Sequence, residues 1–399
     1  MKTIRAVLVA TSLLVFGGGC HDDAVRPPVA PRALAPSTNG GERSPRPASP
    51  PLVASPLVSR GKRTAGYTPV AYAQTKFAID AEPATVWNAG KPTAERPAWI
   101  AIDVGQGPSR LLVRWSAHGS YNYEETDYGS PGSYRIEVSS DSLDGEGGTW
   151  TNVVTVADVK THAQAHAIPF SGMRWVRFVV TSAPAKSPNG VQLDDVSVHD
   201  ASSGATDTWL FMGDSITAFA FGRQCPPQAS FSALVAQRHP GHQPLVINAG
   251  MGGEKSADGR RHLADWLARN PDIHVWGIGY GTNEAAGDVV DAASFRESLR
   301  EIATTLAAAG RVPILARIPY ASSGHPQIPR LNEVVDELTR ELGLPAGPDL
   351  YAWFRAHPDE LGDGVHPNDR GIASMNRLWA DAVAPLYPPS SVPAGVASK

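Results

Sequence analysis

Residues 209–216 have the sequence Trp-Leu-Phe-Met-Gly-Asp-Ser-Ile, in which an apolar run leads into a glycine, an acid and a serine. A short apolar run that ends at turn residues predicts a buried strand. Similar runs recur at residues 245–247, 274–278 and 313–317, and helical patterns alternate with them at residues 230–237, 257–268, 292–308, 331–342 and 370–384. Repeated strand–helix units predict a parallel sheet covered by helices on both faces, so residues 205–388 are interpreted as one α/β/α domain.

The preceding segment, residues 67–200, has a different pattern. Short runs that alternate apolar and polar residues, such as 99–104, 110–115, 134–138 and 175–180, are separated by clusters of Gly, Pro, Asp and Ser. No helical period competes with them. Many short strands with frequent turn signals predict an all-β sandwich or jelly roll. The chain is therefore expected to be multidomain, with a sandwich followed by the α/β/α domain.

The first twenty residues have the features of a secretion signal. Lys2 and Arg5 give a positive start, residues 6–16 form an apolar run too short to span a bilayer, and small residues lead to Cys20. This pattern resembles a bacterial lipoprotein signal, which implies lipidation of Cys20. A conventional signal peptide cut nearby is the alternative. We expect an exported protein of the bacterial cell envelope, attached to the membrane through its N-terminal lipid.

Residues 21–66 are rich in Pro, Ala, Ser and Arg and have no apolar period, so they are interpreted as a disordered tether. Residues 389–399 are expected to form a flexible tail. The second cysteine, Cys225, would have no partner if Cys20 carries lipid, which argues against a disulfide framework. The net charge of −4 and the lack of a long basic run argue against nucleic-acid binding.

Residues with catalytic side chains stand at particular places in the predicted α/β domain. Ser215, Gly253 and Asn283 each follow a predicted strand, and the carboxyl ends of parallel strands are where sites form in such sheets. Asp363 and His366 follow in a late loop, in an Asp-x-x-His spacing that can place both side chains on one side of a turn. A serine hydroxyl needs an adjacent base to act as a nucleophile, and His366 is the candidate.

This arrangement resembles that of the SGNH (GDSL-type) esterase/lipase superfamily. The residues that carry the resemblance are Gly-Asp-Ser-Ile at 213–216, Gly253, Gly-Thr-Asn at 281–283 and Asp-x-x-His at 363–366. The resemblance implies a flavodoxin-like fold and no cofactor for catalysis. It also implies that Ser215 is the nucleophile, His366 the base and Asp363 its orienting acid. The oxyanion donors would be the backbone N–H groups of Ser215 and Gly253 and the side-chain amide of Asn283. Glu284 departs from the family pattern, where Asp is common.

Residues 67–200 resemble the discoidin-type (factor 5/8 C-terminal-like) galactose-binding jelly roll. The landmarks are the Asp80 to Trp87 segment, Trp99 to Gly105, Tyr134 to Asp141 and Trp175 to Thr181. The resemblance implies a structural Ca²⁺, for which Asp80, Thr85 and Asp195 are the candidate oxygen ligands. Five tryptophans, at positions 87, 99, 115, 150 and 175, are expected in the core. Tyr121 and Tyr123 are candidates for sugar stacking, with a decorated loop as the equal alternative.

The function expected from these patterns is an exported serine esterase that removes short acyl groups, such as acetyl, from carbohydrate. A lipid or aryl-ester hydrolase is the alternative, because Phe219 and Phe221 after the nucleophile could line an apolar groove. An alternative of another class is a carbohydrate-binding surface protein with a vestigial hydrolase domain.

Two pairs of residues could suggest a metal site, but a zinc site needs three or four ligands. His239 with His242, and His262 with Asp258, are therefore interpreted as solvated surface residues.

Overall fold

A computed structural model describes residues 50–70, 74–80, 85–117, 129–185, 187, 189–222, 229–287 and 289–388. Cys20, Cys225, Tyr121 and Tyr123 lie outside the described residues, so lipidation and the aromatic loop remain predictions. None of the helices in the described part of the chain is long and apolar enough to cross a membrane.

The N-terminal domain consists of two antiparallel sheets. Its strands are β1 (Thr64–Tyr67), β2 (Trp87–Gly90), β3 (Ala98–Asp103), β4 (Arg110–Ala117), β5 (Ser133–Ser139), β6 (Thr151–Val156), β7 (Ala163–Pro169), β8 (Trp175–Ser182) and β9 (Val191–Asp200). One sheet has the order β1-β3-β8-β5-β6 and the other the order β2-β9-β4-β7. This is the predicted all-β sandwich.

Apolar side chains from both sheets fill the space between them. Val176, Phe178 and Val180 alternate along β8 and point into this core, as the two-residue period of a strand requires. Trp87 and Trp115 are fully buried there. Two of the five tryptophans differ from the prediction: Trp99 and Trp150 are only half-buried, and the Arg177 guanidinium lies over both rings.

The predicted tether extends too far toward the C-terminus. Residues 50–66 were expected to be disordered, yet Leu52 and Ser55 are buried and β1 begins at Thr64. The Leu52 N–H donates to the carbonyl of Leu386 at 2.9 Å, and the Val58 N–H donates to the carbonyl of Val198 at 2.8 Å. The segment therefore packs against the folded part of the chain, which its Pro-rich composition did not indicate.

The C-terminal domain has five parallel strands and seven α-helices among its described residues. The strands are β10 (Thr208–Gly213), β11 (Leu245–Gly250), β12 (Val275–Gly279), β13 (Val312–Arg317) and β14 (Ala346–Asp349). The helices are α1 (Ser215–Ala220), α2 (Phe231–Arg238), α3 (Ser256–Arg269), α4 (Ala292–Ala308), α5 (Ile328–Leu342), α6 (Leu350–Ala356) and α7 (Asp369–Ala382).

Alternate residues of β10 enter two different cores. Leu210 and Met212 pack with α3, α4 and α5, whereas Trp209 and Phe211 pack with α1, α2, α6 and α7. The predicted parallel sheet between two helical layers is therefore confirmed. The strand order is β11-β10-β12-β13-β14, so the chain reverses direction across the sheet at β10. Crevices at such reversals are where α/β proteins place their sites.

The sandwich and the α/β domain share buried contacts. Ala163 and Ala165 of β7 pack in the same apolar cluster as Trp266 of α3. The side chains of Asn270 and Asp272 accept hydrogen bonds from the backbone N–H groups of Ala165, at 3.0 Å, and Ala167, at 3.1 Å. These bonds satisfy backbone N–H groups of β7, the edge strand of the four-stranded sheet, which would otherwise be unpaired.

Candidate active site

Ser215 lies at the point where β10 turns into α1. Asp214 is the N-cap of this helix, and its side chain accepts a hydrogen bond from the Ile216 N–H at 2.9 Å. Gly213 is needed before the turn, because a Cβ there would lie 2.4 Å from the carbonyl oxygen of Gly279. The Oγ atom of Ser215 lies 2.9 Å from Nε2 of His366. The structure therefore pairs the predicted nucleophile with the predicted base.

His366 is held by Asp363 within a single turn. Its Nδ1 atom lies 2.7 Å from Oδ2 of Asp363, and the other carboxylate oxygen accepts from the backbone N–H groups of Val365 and His366. Gly364 has a φ of +85°, which an L-residue rarely adopts and which closes this turn. The Asp-x-x-His spacing thus brings both side chains together, as predicted.

The ionised carboxylate of Asp363 determines which nitrogen of the neutral His366 imidazole carries the proton. Partial burial opposes its ionisation, but the hydrogen bonds from the backbone and imidazole of His366 and from the Val365 N–H prevail and lower the pKa of Asp363 to about 2. An ionised carboxylate only accepts, so the proton of a neutral His366 lies on Nδ1 and Nε2 is left to accept the Ser215 proton. This is the arrangement in which an imidazole acts as a general base.

Gly253 and Asn283 follow the two strands that flank β10. Gly253 lies after β11 with a φ of +76° and an exposed backbone. Asn283 lies after β12, and its Nδ2 atom donates to the carbonyl of Glu254 at 2.8 Å. An amide NH₂ has two hydrogens, so this bond orients the group and leaves one N–H for a ligand. The two predicted oxyanion residues are therefore linked through the residue next to Gly253.

Residues 211–373 match the model of the GDSL-like Lipase/Acylhydrolase family. The chain contains a GDSL-like hydrolase domain. The matched segment runs from β10 through Ser215, Gly253, Asn283, Asp363 and His366 to the start of α7. The hydrolase domain is accordingly that of a carboxylic ester hydrolase, as its sequence motifs predicted.

Several solved structures are similar to parts of this chain. A lipase/acylhydrolase from Enterococcus faecalis is 26% identical, covering 44% of this chain and 94% of its own with a TM-score of 0.37. An acetylxylan esterase from Geobacillus stearothermophilus is 19% identical, with shares of 44% and 94% and a TM-score of 0.37. A chitosan-binding module of a Paenibacillus chitosanase/glucanase is 22% identical, with shares of 36% and 97% and a TM-score of 0.28. No curated protein matches the chain.

A buried carboxyl directly precedes Ser215 in the hydrolase domain. Asp214 is 1% exposed, and it lines a small pocket together with Thr217 and Thr282. Burial raises the pKa of Asp214 to about 7, although the Ile216 N–H opposes the shift, and the nearby Glu284 carboxylate adds to it. Sequence analysis did not identify this group, because the acid of the Gly-Asp-Ser turn is interpreted there only as part of the motif.

Replacing Asp214 by asparagine should stabilise the folded protein in a pH-dependent way. The folded-state pKa of about 7 lies above the ordinary value of 3.8, so the folded state binds more protons between these pH values and wild-type stability falls as pH rises through them. Asparagine keeps a capping oxygen without the charge. Urea unfolding should show a gain near zero at pH 4 that grows to at most about 4 kcal/mol at pH 8.

Asp291→Asn is the matched control for this prediction. Asp291 is the exposed N-cap of α4, and its side chain accepts from the Ser294 N–H at 3.0 Å. Because it is exposed, its substitution should not reproduce the pH-dependent gain. An Asp214→Asn effect of equal size at pH 4 and pH 8 would show that the buried charge does not oppose folding.

The two phenylalanines that follow Ser215 lie in different environments. Phe221 stacks on Phe211 in the core, with 3.7 Å between ring centroids. Phe219 is 41% exposed, and its ring lies edge-to-face with that of His366 at 5.5 Å. The predicted apolar groove therefore cannot include both rings, and of the two only Phe219 lies beside His366.

The predicted calcium ligands form hydrogen bonds or ion pairs with side chains of the protein. Thr85 donates its hydroxyl to the Asp80 carboxylate, at 3.0 and 2.9 Å from the two oxygens, and Asp195 forms an ion pair with Arg114 at 2.6 Å. Within the described residues, no three His, Cys, Asp or Glu side chains form a group that could hold a metal ion. Structural calcium therefore remains a prediction.

Two histidines expected at the solvated surface are instead packed. His242 is 7% exposed, and its Nδ1 lies 3.0 Å from Oδ2 of the buried Asp207. His262 on α3 lies 3.0 Å from Oε1 of Glu254 rather than on the surface with Asp258. Their surface assignment was wrong, because spacing along the chain does not reveal a carboxylate contributed by another element.

Proposed function

We propose that this protein is an exported serine esterase that hydrolyses short acyl esters, chiefly acetyl, on carbohydrate. The observation that carries the catalytic part is the hydrogen-bonded series Ser215, His366 and Asp363, with distances of 2.9 Å and 2.7 Å. An intact series with its acceptor nitrogen directed at the nucleophile argues against a vestigial hydrolase domain.

The proposed reaction has two halves. Ser215 Oγ attacks the ester carbonyl while His366 Nε2 takes its proton, and the Asp363 carboxylate stabilises the imidazolium. The oxyanion of the tetrahedral intermediate accepts hydrogen bonds from the Ser215 N–H, the Gly253 N–H and the Asn283 amide. His366 then returns the proton to the leaving alcohol oxygen, which gives an acyl-enzyme and the free alcohol. Water activated by His366 attacks the acyl carbonyl, releases the acid and restores Ser215.

The proposal of a carbohydrate ester is supported by the organisation of the chain. A sandwich domain is fused to the hydrolase domain and packs against it through Asn270 and Asp272. Residues 1–20 have the features of a lipoprotein signal, which would place the enzyme outside the cytoplasm with Cys20 as its membrane anchor. This inference rests on domain association, while the chemistry rests on the site itself.

A chain-length series of p-nitrophenyl esters, from acetate to palmitate, tests this proposal, together with acetate release from acetylated xylan. We expect kcat/KM to be highest for acetate and to fall steeply beyond butyrate, with acetate released from the polysaccharide. A maximum at octanoate or longer would contradict the proposed substrate class. Ser215→Ala protein, measured in parallel, reports the background rate of each ester.

Hydrolysis of longer acyl chains is the second candidate, and Phe219 is the observation that favours it. An exposed aromatic ring beside His366 can bury part of an acyl chain, and each buried CH₂ contributes about 0.8 kcal/mol. Phe219→Ala should therefore lower kcat/KM for p-nitrophenyl octanoate by about tenfold and change that for the acetate less than threefold. Equal effects on the two esters would show that the ring contacts no acyl chain.

A further inference from the structure

The loop between β11 and α3 carries an acidic side chain that the proposed reaction does not use. We propose that Glu254 is a positioning residue that fixes the Asn283 amide relative to the Gly253 N–H. The proposal rests on the assignment of these two groups as oxyanion donors. Glu254 directly follows Gly253 in the chain and contacts three other residues of the hydrolase domain, Asn283, His262 and Tyr280.

The backbone of Glu254 makes the first contact. Its carbonyl oxygen accepts the hydrogen bond from Nδ2 of Asn283 at 2.8 Å. The amide plane of Asn283 is thereby oriented by the residue that adjoins Gly253. A shift of residue 254 would move the amide and the Gly253 N–H relative to each other, and displacements of about 1 Å can cost 10²-fold in rate.

The carboxylate of Glu254 makes the second and third contacts. Its Oε1 lies 3.0 Å from Nδ1 of His262 on α3, and its Oε2 accepts from the Tyr280 hydroxyl at 3.2 Å. The Glu254 side chain is 12% exposed and that of His262 14%. A carboxylate so far removed from water is destabilised unless donors satisfy it, so these contacts hold residue 254 in place.

Tyr280 connects this carboxylate to the Asn283 loop. It directly follows β12, three residues before Asn283, and is 3% exposed. Gly259 of α3 permits the approach, because a Cβ there would lie 2.4 Å from the tyrosine hydroxyl oxygen. Burial and the neighbouring Glu254 carboxylate raise the pKa of Tyr280 well above its usual value, so the hydroxyl stays protonated and remains a donor.

A parallel contact joins the same two loops. The Ser256 N–H, at the start of α3, donates to Oε1 of Glu284 at 2.6 Å. The segments 254–256 and 280–284 are therefore connected by three hydrogen bonds: Asn283 to the Glu254 carbonyl, Tyr280 to the Glu254 carboxylate, and Ser256 to Glu284. Glu254 takes part in two of them, and a substitution removes only the one made by its carboxylate, since the other is made by its backbone carbonyl.

The test compares kcat and KM for p-nitrophenyl acetate in Glu254→Ala, Glu254→Gln and Tyr280→Phe proteins. Alanine keeps the backbone carbonyl but removes both carboxylate contacts, and we expect kcat to fall roughly 10- to 100-fold with KM changed less than threefold. Glutamine retains one acceptor oxygen and should recover part of the loss. Tyr280→Phe removes one donor without removing the ring, and serves if the alanine variant fails to fold.

Glu333→Ala is the matched control, since Glu333 is an exposed acid on α5 and should leave kcat unchanged. The decisive comparison places Glu254→Ala in an Asn283→Ala background. A side chain that acts through Asn283 should then cost less than about twofold, because contacting residues are not additive. The proposal would be overturned if Glu254→Ala lowered kcat in the Asn283→Ala background as much as it does in the wild-type protein. It would also be overturned if Glu254→Ala and Tyr280→Phe proteins had the kcat of the wild type.

The same experiment separates this inference from the proposed function. Asn283→Ala alone should lower kcat about 10²–10³-fold if its amide stabilises the oxyanion. No loss in that variant would remove the oxyanion assignment and the positioning role with it. A loss in Asn283→Ala without one in the Glu254 and Tyr280 variants would retain the assignment and overturn only the positioning role.

Discussion

Ser215→Ala protein should hydrolyse p-nitrophenyl acetate at least about 10⁴-fold more slowly than wild type in kcat. In the proposed reaction, Oγ of Ser215, which lies 2.9 Å from Nε2 of His366, supplies the electron pair that attacks the ester. Alanine removes that atom and leaves the helix start intact, since the cap is made by Asp214 and Ile216. Thermal unfolding should therefore be nearly unchanged.

Ser232→Ala provides the matched control for this loss. Ser232 lies on α2, and its hydroxyl donates to the carbonyl of Pro244 at 2.9 Å, away from the catalytic residues. We expect its kcat within twofold of wild type. A Ser215→Ala enzyme that kept a tenth of wild-type kcat, after exclusion of contaminating esterase, would contradict the nucleophile assignment.

His366→Ala should reduce kcat by a similar factor, because the hydroxyl proton then has no base to accept it. Members of a catalytic triad act as a unit, so the double variant with Ser215→Ala should be no slower than either single variant. Additive losses in the double variant would indicate that the two residues act independently.

The pH profile gives an independent readout of His366. Asp363, with a pKa of about 2, is ionised across the assay range, so its protonation cannot cause a loss of activity above about pH 4. The buried Asp214 carboxyl, with a pKa of about 7, also titrates in this range. A fall in kcat as pH drops from 8 to 5 that persists in Asp214→Asn protein would therefore report protonation of the imidazole, since imidazolium cannot act as a base. A flat profile through this range would contradict that role for His366.

The parts of the fold that follow from sequence are those in which one physical pattern dominates. Residues 209–212 are apolar throughout because β10 lies between two helical layers, and this pattern correctly predicted a buried strand. The Asp363 to His366 spacing was sufficient because the contact closes within one turn. Ser215 could be located because its hydroxyl must follow a strand that ends at the site.

Features that depend on contacts between distant segments were not predicted. Residues 50–66 have a tether-like composition, yet the Leu52 N–H donates a hydrogen bond to the carbonyl of Leu386, more than 300 positions away in the sequence. His262 and Glu254 are eight positions apart, with no spacing that predicts their contact. The contacts of Trp99 and Trp150 with the Arg177 guanidinium likewise join residues that are far apart in the sequence. Composition and periodicity describe the local preference of the chain for helix, strand or loop. They do not predict these contacts, because the contacts are made in the tertiary structure.

Covalent labelling tests the role of Ser215 most directly. Wild-type, Ser215→Ala and Ser232→Ala proteins would be incubated with diethyl p-nitrophenyl phosphate, which phosphorylates activated serines, and then examined by intact-protein mass spectrometry and peptide mapping. We predict one diethylphosphoryl adduct, on Ser215, that forms with loss of esterase activity in wild-type and Ser232→Ala protein and is missing from Ser215→Ala protein. An adduct on another residue that accounts for the loss of activity would contradict Ser215 as the nucleophile.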